Sequence, residues 1–403
     1  MKILVLNAGS SSQKSCLYDM TTTTPLLPPL PLWEGKINWT QDKNQAEITV
    51  KTAIGATLQE TIVSDSPEVQ FAYLLSTLIH GATQVIDDLS VIDVVGHRVV
   101  HGGEKYKKAV IITEDVKQAI ASLCNLAPAH NPAALAGIEA MEKTLGNIPQ
   151  VAVFDTGFHN TLPDAAAIYP IPYYFAEKGI RRYGFHGISH QYCAHRAAEI
   201  LGQDLLSLRI ITCHLGNGCS LAAIKNGCSI DTTMGFTPLD GLMMGSRSGS
   251  IDPGILIYLS EQYNYSSEEL DNMLNKLSGL RGISGVSSDL RDVIAAKKQG
   301  NQRAQLAWDM YVHRLRSGIG AMLASLAGLN VLVFTAGVGE KSAEIREAAC
   351  EPWGFLGLKI DVEKNQQQPV DIDIATFDSM VRVLVVETQE DWAIAQQCYK
   401  LLQ

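Results

Sequence analysis

KILVLNAGSSSQKSCLYD (residues 2–19) and RIITCHLGNGCSLAAIKNG (residues 209–227) follow one plan: an apolar strand, a turn of small residues, then a second alternating strand. Taken singly, each turn reads as an ordinary tight hairpin, because Asn, Gly and Ser dominate such turns. Occurring twice in one chain, they suggest a duplicated design. Glycine lets the backbone come close to a ligand, and serine hydroxyls with consecutive N–H groups form a concavity suited to phosphate oxygens. A third turn, in VLVFTAGVGEKSAEIREAAC (331–350), leads from a strand into a helix and places N–H groups near Gly337 and Gly339. The usual nucleotide fingerprints, GxxxxGK[ST] and GxGxxG opening a helix, are both missing.

Around these turns, short β-type runs alternate with helical patterns, which is the signature of an α/β protein. Strands are expected at Ile3–Leu6, Val91–Val95, Val151–Phe154, Ile210–Cys213, Val331–Phe334 and Val381–Val386. Helices are expected over 69–82, 113–126, 131–145, 266–278, 303–327 and 390–402, with Ser266 and Glu269 forming a capping box at the start of the fourth. TTTTPLLPPLPLWEG (21–35) carries four prolines and reads as an extended surface loop.

With 403 residues the chain is long for one core and predicts two domains. At 46% hydrophobic and 18% charged residues it has enough apolar surface to be globular. A formal net charge of −10 argues against nucleic acid or an anionic membrane as the partner, while leaving room for a local basic pocket. Eight scattered cysteines contain no CxxC pair, so they read as reduced thiols rather than a zinc or redox site. The opening run is too short for a signal segment, and no apolar stretch approaches membrane-spanning length, so a cytoplasmic enzyme is expected.

Charged groups suited to phosphate chemistry fall where strands end, which in α/β proteins is the usual ligand crevice. His97, Arg98 and His101 lie in VVGHRVVHGGEKY, Asp155 in FDTGFHNTLP, and His186 and His190 in RRYGFHGISH. Arg247 lies in the Gly/Ser loop MMGSRSGSIDP, while Glu390 and Asp391 stand between the last strand and the last helix. A solvated Arg, a capping Asp and a turn His are the plain alternatives for each of these taken alone.

Together, NAGSSSQKS, GHRVVHGGEKY, LAPAHNP, FDTGFHNTLP, RRYGFHGISH, HLGNGCS, MGFTPLDGLMMGSRSGSIDP, FTAGVGEKS and TQED resemble, in order, the motifs of the acetate kinase family. That resemblance spans residue 3 to about 395. It implies an α/β fold of duplicated ribonuclease-H-like (actin-like ATPase) domains with the active site in the interdomain cleft. One domain would cover 1–154 plus about 389–403, and a nucleotide-binding and dimerisation domain would cover 155–388. It further implies a homodimer that transfers phosphoryl reversibly between ATP and acetate, giving acetyl phosphate and ADP, with magnesium or manganese as the metal.

The same resemblance assigns roles residue by residue. Arg98 and Arg247 would hold the acetate carboxylate and the transferring phosphoryl, with His186 donating to the transition state. Asp155 and Glu390, with Asn7, would set the metal and its waters. Ser10, Ser12 and Lys14 would line the first hairpin, and His214, Leu215, Gly216, Asn217 and Gly218 the second. Asp289, Leu290 and Arg291, with Gly337, Val338, Gly339 and Lys341, would bind the nucleoside. Val100, Ala129, Phe185 and Pro238 would line the methyl pocket. Ala129 stands where the family commonly has Leu, which predicts better tolerance of propionate. Lys341 and Gln389 also depart from the common pattern, at an Asn and at an Asn or Asp.

The chemistry explains the residue types. A carboxylate is ionised at neutral pH and needs no general base, so the obstacle is its repulsion from an anionic γ-phosphoryl. Fixed guanidinium groups answer that, because they stay protonated and bind oxygens in pairs. A sugar or polyol kinase would instead use Asp155 as a base, a chaperone-like ATPase would carry a peptide-binding appendage, and a butyrate-type acyl kinase is the nearest alternative.

Overall fold

The computed structural model describes residues 1–8, 12–20, 27–39, 45–64, 66–127 and 130–403. Its backbone divides into two compact units, Met1–Gly157 with Gln389–Gln403, and Phe158–Thr388. The break falls three residues beyond the expected position 154, so Asp155 stays with the first unit.

The first unit is built on an eight-stranded sheet: β1 (Lys2–Ala8), β2 (Ser12–Asp19), β3 (Trp33–Trp39), β4 (Gln45–Thr52), β5 (Thr57–Val63), β6 (Val94–Val99), β7 (Val110–Ile111) and β8 (Gln150–Phe154). The spatial order is β5-β4-β3-β2-β1-β6-β8-β7. β1 to β5 form an antiparallel meander, whereas β1, β6 and β8 run parallel. The second unit has six strands: β9 (Arg209–Leu215), β10 (Cys219–Lys225), β11 (Cys228–Thr232), β12 (Val331–Thr335), β13 (Ile372–Asp373) and β14 (Arg382–Val385). Their order, β11-β10-β9-β12-β14-β13, repeats the pattern of three antiparallel strands followed by two parallel neighbours. This repetition is the structural form of the echoed hairpins.

Parallel strands buried on both faces read as continuous apolar runs. β8, β12 and three of the four residues of β14 are buried, which is why the sequence marked them well. The helices Asn131–Leu145 and Glu390–Leu402 match the expected spans, and the Ser266–Glu269 capping box is present at Ser267–Lys276. Other expectations shift. The strand expected at Val91–Val95 begins at Val94, because Asp88 caps a short 3₁₀ turn at Leu89–Val91. The helix expected over 69–82 spans Pro67–Ser76 and stops where the Thr77 hydroxyl bonds back to Leu74. Within the expected loop 21–35, residues 21–26 lie outside the described residues and β3 already starts at Trp33. Trp33 is fully buried among Leu74, Leu75 and Leu78, and its indole N–H donates to Thr77. No helix among the described residues is long and apolar enough to cross a membrane.

Although it follows β14 in the chain, the C-terminal helix packs on β1 and β6 of the first unit. Gly96 on β6 permits this approach. A Cβ there would lie 2.6 Å from Cys398 Sγ and 2.8 Å from Ile394 Cγ2, closer than packed carbons tolerate. Gly96→Ala is therefore expected to lower stability by about 1–3 kcal/mol. In urea titrations, adding Cys398→Ala, which removes the nearer of the two colliding atoms, should recover part of the loss. An unchanged midpoint in the single variant would contradict the close packing.

Candidate functional site

In the first unit the parallel strands set the site. Leu6 pairs in register with His97, and Arg98 with Val153, so the C-terminal ends of β1, β6 and β8 carry Asn7, Arg98 and Asp155 side by side. Arg98 Nη2 is 2.6 Å and Nε 2.9 Å from Asp155 Oδ2, while Nη1 donates to Asn7 Oδ1 at 3.0 Å and lies 3.6 Å from Glu390 Oε2. Asn7 Nδ2 donates to Asp391 Oδ1 at 2.9 Å and to Glu390 Oε2 at 3.4 Å. Glu390 and Asp391 occupy the first turn of the C-terminal helix, where the exposed N–H groups favour negative charge.

Burial is the largest influence on Asp155 and pushes its carboxyl up; Arg98 pulls it down, and Glu390 adds a further upward push. Burial also opposes the charge on Arg98, but Asp155 and Glu390 outweigh it and hold the guanidinium above its ordinary pKa. The second oxygen, Asp155 Oδ1, is buried without a hydrogen-bond partner among the described residues. Such an orphaned carboxylate oxygen beside a second carboxylate suits a hard divalent cation. Lys14 is held by Asp391 and Glu34, both at 2.9 Å. Ser12 begins β2, Val100 is buried, and Ser10 and Ala129 lie outside the described residues.

The second unit gathers His186, His214, Gly218 and Arg247. His186 precedes the helix Gly187–Leu201 with φ 56°, a left-handed conformation that costs a non-glycine residue about 1 kcal/mol or more. Its Nδ1 lies 2.9 Å from Ser220 Oγ, and its ring stacks on that of His214 at 4.1 Å. A Cβ on Gly218 would lie 2.7 Å from Arg247 Nη2 and 3.4 Å from His186 Nε2, so a side chain there would push the guanidinium from its present position. Arg247 Nη1 donates to the carbonyl of Pro238 at 2.7 Å, and Phe185 is buried next to His186. Among the described residues no carboxylate pairs with Arg247; burial lowers its pKa, opposed by Cys219. A partly buried cation without an anion is ready to receive one.

The turns converge here too. A Cβ on Gly216 would lie 3.8 Å from the Ala336 Cβ, which sets the second hairpin beside the turn after β12. Asn217 and Ser288 both crowd the corresponding position on Gly245, tying Leu215–Gly218 to the stretch before Asp289–Arg291. Gly337 faces open space, Gly339 is buried, and Val338 and Lys341 share the short helix Ala336–Lys341. Asp289 caps the helix Leu290–Lys298 and pairs with Arg291 at the surface, so these two are engaged with each other.

Sequence reasoning missed the residues that orient the site. Ser220 bridges His186 and His190, Thr212 bonds His190, and Ser189 bonds His214 while accepting from Thr388. For Thr212 and Ser220 the available signal was a small polar residue in a strand that otherwise reads as apolar.

A repeated three-plus-two sheet with turns of small residues at the ends of its parallel strands is the architecture of the duplicated actin-like ATPase class. Residues 2–396 match the acetokinase family. The chain is 75% identical over all 403 residues to an acetate kinase of Nostoc sp. (strain PCC 7120 / SAG 25.82 / UTEX 2576), covering both chains completely. It is 63% identical to an acetate kinase of Cyanothece sp. (strain PCC 7425 / ATCC 29141), covering 100% of this chain and 99% of that one. Among solved structures, Porphyromonas gingivalis acetate kinase superposes with a TM-score of 0.90 at 41% identity over 100% of each chain. A propionate kinase from Francisella tularensis subsp. tularensis SCHU S4 gives 0.89 at 39% identity over 98% of each. The chain belongs to the acetokinase family, kinases whose phosphoryl acceptor is a carboxyl group.

Buried neutral histidines give this scaffold a defined acid response. Burial lowers His97 and His159 to about 4, only partly offset by bonds to Gln150 and to the Phe185 carbonyl. The unfolded chain therefore binds protons first, and stability present above about pH 6.5 is lost as pH falls towards 4, by up to about 3 kcal/mol per ring. Urea midpoints should fall across that window, and His97→Gln should flatten the slope. A midpoint constant from pH 7 to 5 would contradict this.

Proposed function

We propose that this member of the acetokinase family transfers the γ-phosphoryl of ATP to acetate directly and in line, reversibly. The observation that carries this reading is the Arg247 guanidinium, partly buried beside His186 and Gly218 with no carboxylate partner among the described residues. It would neutralise charge on the transferring phosphoryl and the incoming carboxylate, Arg98 would orient the acetate, and His186 would donate to the equatorial oxygens. Val100, Ala129, Phe185 and Pro238 would enclose the methyl group. His214 to Gly218 and the stretches containing Asp289–Arg291 and Gly337–Lys341 would hold the nucleotide, together with Ser10, Ser12 and Lys14.

Magnesium, or manganese in its place, would offset phosphate charge when bound. Asp155 and Glu390 would hold it, with Asn7 at its waters, in keeping with the preference of that ion for oxygen ligands and retained water.

With ATP, magnesium and hydroxylamine, acetate should give acetyl hydroxamate, and Arg247→Gln should slow this about 10²–10³-fold. Absence of hydroxamate from acetate and propionate alike would overturn the reading.

Propionate tolerance is proposed from Ala129 and is supported by the propionate kinase among the structural relatives. Ala129→Leu should shift kcat/KM towards acetate by about 10-fold or more, corresponding to 1–3 kcal/mol per methylene. An unchanged acetate-to-propionate ratio would refute it.

The protein is further proposed to be a homodimer. The helix Pro253–Tyr263 buries none of its residues, yet presents Ile255, Ile257, Tyr258 and Tyr263, each 45–61% exposed. An apolar helix surface of this kind calls for a partner. Light scattering should show a dimer that Ile257→Glu with Tyr258→Glu dissociates; a monomeric parent protein would contradict this. All eight cysteines are free, which supports a reducing, cytoplasmic setting.

A further inference from the structure

The second unit contains a string of side chains whose proton order can be worked out. Thr212 Oγ1 lies 2.7 Å from His190 Nδ1, His190 Nε2 lies 2.7 Å from Ser220 Oγ, and Ser220 Oγ lies 2.9 Å from His186 Nδ1. Thr212, His190 and Ser220 are all fully buried. A hydroxyl has one proton to give and lone pairs to receive, while a neutral imidazole has one N–H and one bare nitrogen. His190 is neutral, since burial and the neighbouring His159 and His214 hold its pKa well below the ordinary value.

Three proton orders are conceivable, and burial separates them. If both rings donated to Ser220, its own proton would have no acceptor, because Ser220 makes no other side-chain bond among the described residues. If the string ran outward from His186, then His190 Nδ1–H would point at Thr212 and strand the Thr212 proton, which has His190 as its one side-chain partner among the described residues. Only the inward order satisfies every buried group. Thr212 donates to His190 Nδ1, His190 Nε2–H donates to Ser220, and Ser220 donates to His186 Nδ1. A stranded buried hydroxyl costs about 1–3 kcal/mol, enough to select this order.

We propose that Thr212 is a positioning residue that, through His190 and Ser220, fixes His186 as the Nε2–H tautomer. His186 Nε2 is the nitrogen on the side of Gly218 and Arg247, so its proton is presented where the transferring phosphoryl is placed. This rests on the proposed role of His186. A second string has the same sense: Thr388 donates to Ser189, which lies 2.8 Å from His214 Nδ1 and leaves His214 Nε2 to carry its proton. Two stacked rings at 4.1 Å can thereby both donate without both being charged, which would cause repulsion.

Histidine-selective ¹⁵N labelling of the full-length protein reads the tautomers directly. His186, identified by the loss of its signal in His186→Gln, should show a bare Nδ1 and a protonated Nε2. Thr212→Val removes the first donor while keeping the shape; it should mix the His186 tautomers and lower kcat about 10-fold with little change in either KM, a fraction of the 10²–10³ lost with a whole transition-state donor. Thr212→Ser should restore both signals and turnover. A protonated Nδ1 on His186 in the parent protein would overturn the proposal, and so would a Thr212→Val protein with unaltered tautomer and kcat. If Thr212→Val failed to fold, the parent tautomer would still decide. Full turnover in His186→Gln would instead remove the catalytic role of His186 and leave the tautomer assignment standing.

Discussion

Two arginines in this chain are treated in opposite ways, and the proposed chemistry depends on that asymmetry. Arg98 is locked to Asp155, with Asn7 and Glu390 around it, so its charge is compensated and its direction fixed. Arg247 is drawn in beside Gly218 and His186 with a backbone carbonyl for company and, among the described residues, no carboxylate. A paired cation gives orientation, whereas an unpaired one gives unspent electrostatic attraction. Phosphoryl transfer to a carboxylate needs both, because the reacting partners repel until fixed positive charge is supplied.

The fold makes this affordable by building the same sheet twice. In each unit three parallel strands end together, and in each the groups that matter stand at those ends: Asn7, Arg98 and Asp155 in one, His214 and the turn after Thr335 in the other. Glycine is used where a side chain would collide, at Gly96 under the C-terminal helix and at Gly218 between Arg247 and His186. The histidine cluster then supplies direction through hydroxyls rather than through further charge.

Much of this was legible in the sequence, for physical reasons. Buried parallel strands such as Val331–Thr335 are unbroken apolar runs, and the helix Asn131–Leu145 is bounded by an early Pro and a terminal Gly. β6 was harder to place, since His97 and Arg98 interrupt its apolar pattern, and the capped turn before it mimicked a strand start. The strands β3 to β5 went unmarked because their outward positions carry Glu, Lys, Gln and Thr, and β5 is mostly exposed. Arg98, Asp155, His186 and Arg247 stood out as chemistry-bearing residues beside turns. Thr212 and Ser220 on strands and Ser189 on a helix did not, because one hydroxyl in an apolar run is a weak signal until its partners are known. The left-handed backbone of His186 was equally invisible from residue type.

The central claim is that Arg247 is kept at a cost in stability so that an anion can complete it. Urea unfolding of the parent protein and Arg247→Gln, each with and without ATP and magnesium, tests this most directly. The account predicts that the variant is the more stable of the two without ligand, by about 1 kcal/mol or more, and loses most of the stabilisation ATP gives the parent. A variant that is less stable without ligand, yet gains as much from ATP as the parent does, would contradict it.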